Sequence, residues 1–294
     1  MRTKLLTIIF CVFSLFSCTN NEIKEPEEKP ISLGYNAKPF STSDTSKILF
    51  SKGNLQYQPT TKSFRFAERQ YDYVGEANAC ISNVYGGWVD LFGWGTGDIP
   101  TKILSTSDYS TYVDWGTNVI EEHSPNTWYC PTMSEINYIF IERKNASKLI
   151  ASGIVDGVKG LILLPDDWIC PTNIQLNLGI TKGLHTVEYS DDCLYSISTY
   201  TGEPKNPPLF SHNNFTATSW LQLESAGAVF LPAAGCRSVT SLNYQQEDCM
   251  YWTSSSTINR KYRFYLDIDQ YGIYTYNSSG QYGRSVRLVR RYNK

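Results

Sequence analysis

Between residues 262 and 268 apolar and polar side chains alternate: Tyr262, Phe264, Leu266 and Ile268 share one face, and Arg263, Tyr265 and Asp267 the other. A period of two predicts a strand with one buried face. The apolar runs at 227–235, 251–256 and 283–290, separated by Gly, Ser and Asn clusters, predict further strands of a compact antiparallel sheet. Upstream, 47–50, 54–58, 64–66 and 71–73 read as short strands. Leu161 to Leu164 is a continuous apolar run, as expected of a central strand, and Pro165-Asp166-Asp167-Trp168 turns out of it. Two stretches have helical spacing. Thr132-Met-Ser-Glu135 has the spacing of a capping box, and Ile136, Ile139, Phe140, Leu149 and Ile150 follow at helical intervals. This predicts a helix over about 133–151, ended by Gly153. Trp220 and Leu223, within 219–226, predict a second short helix ended by Gly227. Residues 172–215 are polar and irregular, a long insertion of the kind that carries recognition.

The amino terminus changes this picture. Arg2 and Lys4 precede an apolar run of twelve residues, too short for a permanent membrane span, so 1–17 reads as an export signal. It ends in Leu15-Phe16-Ser17-Cys18, which resembles the lipobox of bacterial lipoproteins, although Phe16 is bulkier than usual. The resemblance implies that Cys18 becomes the acylated amino terminus and partners with outer-membrane lipid; more than one acyl chain gives firm anchoring. Residues 18–39, rich in Glu and Pro, form an acidic tether. The acidic cluster after Cys18 is similar to the surface-export signal of Bacteroidetes lipoproteins, which implies an outer-membrane, surface-exposed protein. Residues 40–294 then form one domain.

The chain has 41% apolar and 18% charged residues, so it has the composition of a folded protein. A net charge of −2 with no basic stripe argues against a nucleic-acid partner. The 21 Tyr, 13 Phe and 7 Trp suit either binding surfaces or the small cores of a loop-rich β-protein. The glycine-rich stretch 86–97 lacks the spacing of a phosphate loop and reads as tight turns packing Trp88 and Trp94. His123, His185 and His212 are isolated, and neither a metalloprotease helix nor a nucleophile elbow occurs. Adjacent Asp166 and Asp167 diverge in an extended segment and read as turn residues. No catalytic constellation, metal site or cofactor is expected.

Several phrases together resemble a family of exported Bacteroidetes proteins with a FISUMP/DUF1566-type domain, over residues 45–291. They include Phe50-Ser-Lys-Gly-Asn-Leu-Gln-Tyr-Gln58, Asp90-Leu-Phe-Gly-Trp-Gly95, Gly160-Leu-Ile-Leu-Leu-Pro-Asp-Asp-Trp168, Gly227-Ala-Val-Phe-Leu-Pro-Ala-Ala-Gly235, Tyr251-Trp-Thr-Ser-Ser255 and Ser285-Val-Arg-Leu-Val289. The family is related to C-type-lectin-like and formylglycine-generating-enzyme-like folds. The resemblance therefore implies an α+β class: a C-type-lectin-like twisted antiparallel sheet, two flanking helices and long loops. The calcium ligands of sugar-binding lectins do not carry over, since Trp252 is followed by Thr253-Ser254 and Glu203-Pro204 by Lys205.

The expected function is a non-enzymatic binding role at the cell surface. The ligand would be a glycan or a protein, met by the 95–130 and 172–215 loops through Tyr109, Tyr112, Trp115, Tyr195 and Tyr200. The alternatives are a structural surface-coat or fimbria-associated component, and a cysteine-dependent oxidase on the related scaffold. Six cysteines follow Cys18, and none forms a C-x-x-C pair. In an oxidising compartment a Cys236–Cys249 disulfide, closing a twelve-residue loop, is worth about 3 kcal/mol. The shared Trp-x-Cys-Pro-Thr phrases around Cys130 and Cys170 make a second bridge conceivable.

Overall fold

The apolar runs at 150–155 and 158–163 are joined by Asp156-Gly157, and this pair forms the hairpin at the centre of the molecule. In the computed structural model, which describes residues 38–108, 111–178, 185–188, 195–198, 209–257, 260, 263–269, 273–278 and 280–293, Asp156 has φ 49° and Gly157 φ 84°. Positive φ at both central residues is what a two-residue type I′ turn requires, and Val155 pairs directly with Val158. The strand Val158–Leu163 lies between Ile150–Val155 and Val229–Pro232, so it is central as the sequence predicts. Asn214–Phe215 adds a parallel pairing to Ile150–Val155.

Both faces of this sheet are covered. Ile150, Leu161, Leu163, Val229 and Leu231 pack with Phe40, Phe50, Ile139 and Phe140 in one cluster. Ala151, Ile162 and Phe230 pack on the other side against Trp220 and Leu223. The last two belong to the helix Ala217–Ser225, which starts where the Thr216 side chain accepts from the Ser219 amide. It is followed by Gly227 in the left-handed region, as the sequence predicts. Truncating a residue like Trp220 costs about 3–5 kcal/mol.

The first predicted helix is much shorter than expected. Its capping box forms, with the Thr132 side chain accepting from the Glu135 amide and Glu135 accepting from the Thr132 amide. But the α-helix spans only Met133–Asn137, continues as a wider π turn over Tyr138–Glu142, and stops. Arg143 is the cause. Its buried guanidinium group folds back to donate to the carbonyls of Ile139, Leu149 and Leu164. Leu149 closes a 3-10 turn, Ala146–Lys148, and Ile150 is already in a strand opposite Leu163. Gly153 lies inside that strand, where a Cβ would press on Asn213.

The strand Lys47–Phe50 pairs with Phe40–Ser41 on one side and with Val289–Arg291 on the other. Leu55–Gln58 and Ser63–Phe66 form a hairpin. Residues 71–73 are not a strand, because Asp72 closes a turn onto the Arg69 carbonyl. The insertion is less irregular than expected: His185–Glu188 and Tyr195–Ser198 pair as a hairpin, which joins Ile273–Ser278 through Tyr274 and Ser198. The same sheet continues through Arg263–Ile268 to Cys249–Ser256. The predicted one-sided strand at 262–268 is buried on both sides. Leu266 and Ile268 enter the central cluster, while Arg263, Tyr265 and Asp267 are enclosed as well. The described residues therefore form an α+β protein of mainly antiparallel sheets with few, short helices. The signal 1–17, residues 18–37 of the tether, and Cys18 lie outside the described residues.

Candidate functional site

The enclosed polar face of Arg263–Ile268 borders an open cleft of about 600 Å³. Strand alternation supplies its wall. Tyr265 and Asp267 follow at period two on one strand, with Asp269 just past its end, and Met250 lies on the facing strand with Asp248 just before its start. Tyr282 and Arg284 arrive from the segment beginning with Tyr282–Gly283, which pairs with Cys236–Ser238. The Arg284 backbone is locked by two hydrogen bonds to Phe92. Gly283 is required here, since a Cβ would lie 2.6 Å from the Leu91 carbonyl oxygen and 2.8 Å from an Arg237 nitrogen. Cys236, Ser238, Asn243, Tyr244 and Ser278 complete the lining.

Arg284 is 3% exposed. Its guanidinium lies 3.6 Å from the ring centre of Tyr265, 4.4 Å from Trp252 and 5.1 Å from Tyr282, an aromatic sandwich of the cation–π kind. One terminal nitrogen donates to Ser278 Oγ at 3.0 Å, while Nε has no hydrogen-bond partner. Asp267 is 4% exposed, and its Oδ1 also lacks a partner. Burial pushes the Asp267 carboxyl well above the usual carboxylate range, Asp248 and Asp269 add to the rise, and Arg284 opposes it. Burial, with Asp269 and Glu247 nearby, raises Asp248 to about 7. Burial also raises the Tyr265 phenol and the Cys236 thiol. Behind the cleft wall thus lie one buried donor and one buried acceptor without partners, both closed to solvent, and beside them is Asp248, whose carboxyl burial raises to about 7. Unpartnered buried polar groups cost about 1–3 kcal/mol each, and such a cost gathered in a cleft points to a ligand site. Among the described residues, no group of three or more His, Cys, Asp or Glu is placed to hold a metal ion.

Of the residues expected to meet a ligand, Tyr112 and Trp115 lie elsewhere. Trp115 is 0% exposed and packs 6.0 Å from Phe92, so it is a core residue. Tyr112 lies 4.7 Å from Trp94 and donates its hydroxyl to Asp114, bracing the same core. Tyr109, Tyr200 and the side chain of Tyr195 lie outside the described residues. Neither expected disulfide is present, and Cys130, Cys170, Cys236 and Cys249 are all free. Cys236 lies by the cleft, whereas Cys249 turns into the central cluster and donates to the Leu231 carbonyl. Cys130 is buried against the Trp252 carbonyl, whereas Cys170 is exposed beside Ile174. Asp166 and Asp167 are turn residues, as read. Asp166 ties down the Ser41 amide and Lys47, and Asp167 pairs with Lys38.

The sequence reading misses Asp248, Asp267, Asp269 and Arg284, and with them a convergent set of acid groups that it does not expect. The available signal is the polar face of the 262–268 alternation, extended to Asp269. A period of two assigns that face to solvent and cannot report that other segments close over it. By fold the chain is an α+β protein of mainly antiparallel sheets, and by site it has a carboxyl-rich cleft around a stacked arginine. No family model, curated protein or solved structure matches the chain.

Proposed function

We propose that the protein is a cell-surface lipoprotein, held in the outer membrane through acylated Cys18, whose cleft at Asp248, Asp267 and Arg284 binds a glycan. The observation that carries this reading is an open cleft of about 600 Å³ lined by Asp248, Asp267, Arg284, Tyr244 and Tyr282, with Asp267 Oδ1 and Arg284 Nε buried in its wall without partners. A sugar hydroxyl donates and accepts at once, which suits a lining that mixes carboxyl, hydroxyl and amide groups. Tyr244, 53% exposed, and half-buried Tyr282 offer ring faces on which a sugar's C–H face stacks. The C-type-lectin-like assignment belongs to this reading. It is supported by the resemblance of the 45–291 phrases and by antiparallel sheets with a helix against one face, not by a shared calcium site.

The test is a binding screen of full-length protein against a saccharide panel. Saturable binding that Arg284→Met or Asp267→Asn removes is the expected result; binding that neither variant changes contradicts the assignment of the site. Anchoring is tested separately, by mass spectrometry of the mature amino terminus and by protease shaving of intact cells.

The raised pKa values of Asp248 and Asp267 favour one second reading, carboxyl acid–base cleavage of a glycosidic bond. It predicts new reducing ends when oligosaccharides are incubated with the protein, and their loss in Asp248→Asn. The cysteine oxidase has no such support, because Cys236 and Cys249 lie in separate clusters.

A further inference from the structure

A second open cleft, of about 560 Å³, shares no lining residue with the one at Asp248. We propose that it takes an extended, acidic peptide segment of a partner protein, which adds as a strand beside Val289–Arg291. In the pairing of Val289–Arg291 with Lys47–Phe50, the Tyr292 amide donates to the Lys47 carbonyl and the Ser51 amide to the Leu288 carbonyl, each at 2.9 Å. Bonded positions alternate along an antiparallel pair. Leu288, Arg290 and Tyr292 therefore turn toward Lys47–Phe50, while Val289 and Arg291 turn to the other edge. Val289 uses that edge in full, exchanging two 2.9 Å bonds with Tyr129. Continued, this ladder would set Thr127 opposite Arg291, but the chain leaves it there. Asn126, with φ 66°, donates its amide to the Gly116 carbonyl, and the Thr127 amide and hydroxyl both turn back to the Ser124 carbonyl. Among the described residues, the Arg291 amide and carbonyl have no backbone partner, and the space opposite them is the cleft. A donor and an acceptor side by side on a strand edge are what strand addition uses.

Charge sets the kind of peptide. Arg290 and Arg291 line the cleft, and among the described residues no carboxyl group does. The Arg291 side chain, 55% exposed, is aimed by stacking 4.8 Å over Tyr129 and by one 2.7 Å bond to Glu135 Oε1. Glu135 is itself held by the Thr132 amide and the Tyr129 hydroxyl. A guanidinium carries several donors in a fixed fork, so one bond to Glu135 leaves others for an incoming carboxylate. Successive side chains of a strand point to opposite faces, so two adjacent carboxylates on the added segment meet Arg290 and Arg291 in turn.

The experiment is fluorescence anisotropy of a labelled, end-blocked hexapeptide, Val-Thr-Glu-Glu-Val-Thr, titrated with full-length protein. The comparison probes are the peptide with Gln for Glu, the peptide N-methylated at alternate amides in either phase, and an oligogalacturonate as unlabelled competitor. The expected result is saturable binding, weakened about tenfold or more by the Gln replacement and by N-methylation in one phase only. Arg291→Pro removes an amide that the fold does not use, so it should stay folded in thermal melts and abolish binding. Arg291→Gln keeps the amide and should weaken binding without abolishing it. Binding unchanged by N-methylation in both phases, or by Arg291→Pro, overturns strand addition. Equal binding of the Gln peptide overturns the charge preference. No saturable binding of the acidic peptide overturns the proposal, and an oligogalacturonate that displaces it more strongly than unlabelled peptide makes an acidic glycan the occupant instead.

Discussion

Asp267 is a carboxyl in a place where an ionised carboxyl is costly. It stands on a fully hydrogen-bonded strand, is nearly enclosed, and has one oxygen without a partner. Its pKa is raised well above the usual 3.8 by burial first. The folded state therefore keeps a proton that the unfolded chain gives up. Stability from this group is complete below about pH 3.8 and is lost as pH rises from there toward its raised folded value. Asp267→Asn removes the ionisation and keeps the shape, so it should raise stability at pH 7 by roughly 1–3 kcal/mol and flatten that pH dependence. Denaturant melts of both forms from pH 4 to 8 check it; a variant less stable than the parent at pH 7 would contradict it. Asp90 acts in the same direction. Burial raises it to about 6, against the hydrogen bonds from Asn78 and the Val74 amide. Its contribution is lost between about pH 3.8 and 6, and Asp90→Asn should remove that part of the slope in the same melts.

At the scale of elements, the hairpin turn at Asp156-Gly157 sets the register of the central sheet. A Cβ at Gly157 would meet nothing within 4 Å, so an alanine there faces only the cost of positive φ. Gly157→Ala should cost about 1–2 kcal/mol, and Thr132→Ala, which removes the cap of Met133–Asn137, about 1 kcal/mol. Both are read from shifts in denaturant midpoint at constant slope. These two elements also show what a local pattern can and cannot carry. The Thr132 cap and the helix at Trp220, Leu223 and Gly227 are legible because a helix end is written in adjacent residues. The extended helix over 133–151 is not sound past Glu142. Leu149 and Ile150 keep helical spacing by coincidence, and the decisive backbone contacts of Arg143 reach carbonyls on either side of it. The Asp-Gly pair flanked by apolar runs is the local clue that 150–163 is a hairpin.

The whole molecule explains why the site is harder to read than the fold. The cleft is assembled from 236–244, 248–250, 265–269 and 278–284, brought together by long-range pairing that no sequence window contains. Aromatic content misleads in the opposite direction. Tyr112 and Trp115 look like contact residues, yet they brace the cluster beneath the sheets, because large rings serve cores and surfaces equally. Cysteine count misleads as well. Strand alternation sends Cys236 and Cys249 to different clusters, so the chain should resist native thiol labelling at Cys130, Cys236 and Cys249 while Cys80 and Cys170 react. All five should label once unfolded without reductant, which peptide mapping would show. A bridge among them would contradict the packing described. The central claim is that the enclosed, unpartnered groups of the cleft are kept for a saccharide. Its most direct measurement is binding of a saccharide panel to parent protein and Asp267→Asn side by side. Saturable binding in the parent, lost in a variant that is at least as stable, is the predicted result. The same binding in both, or none in the parent, would contradict it.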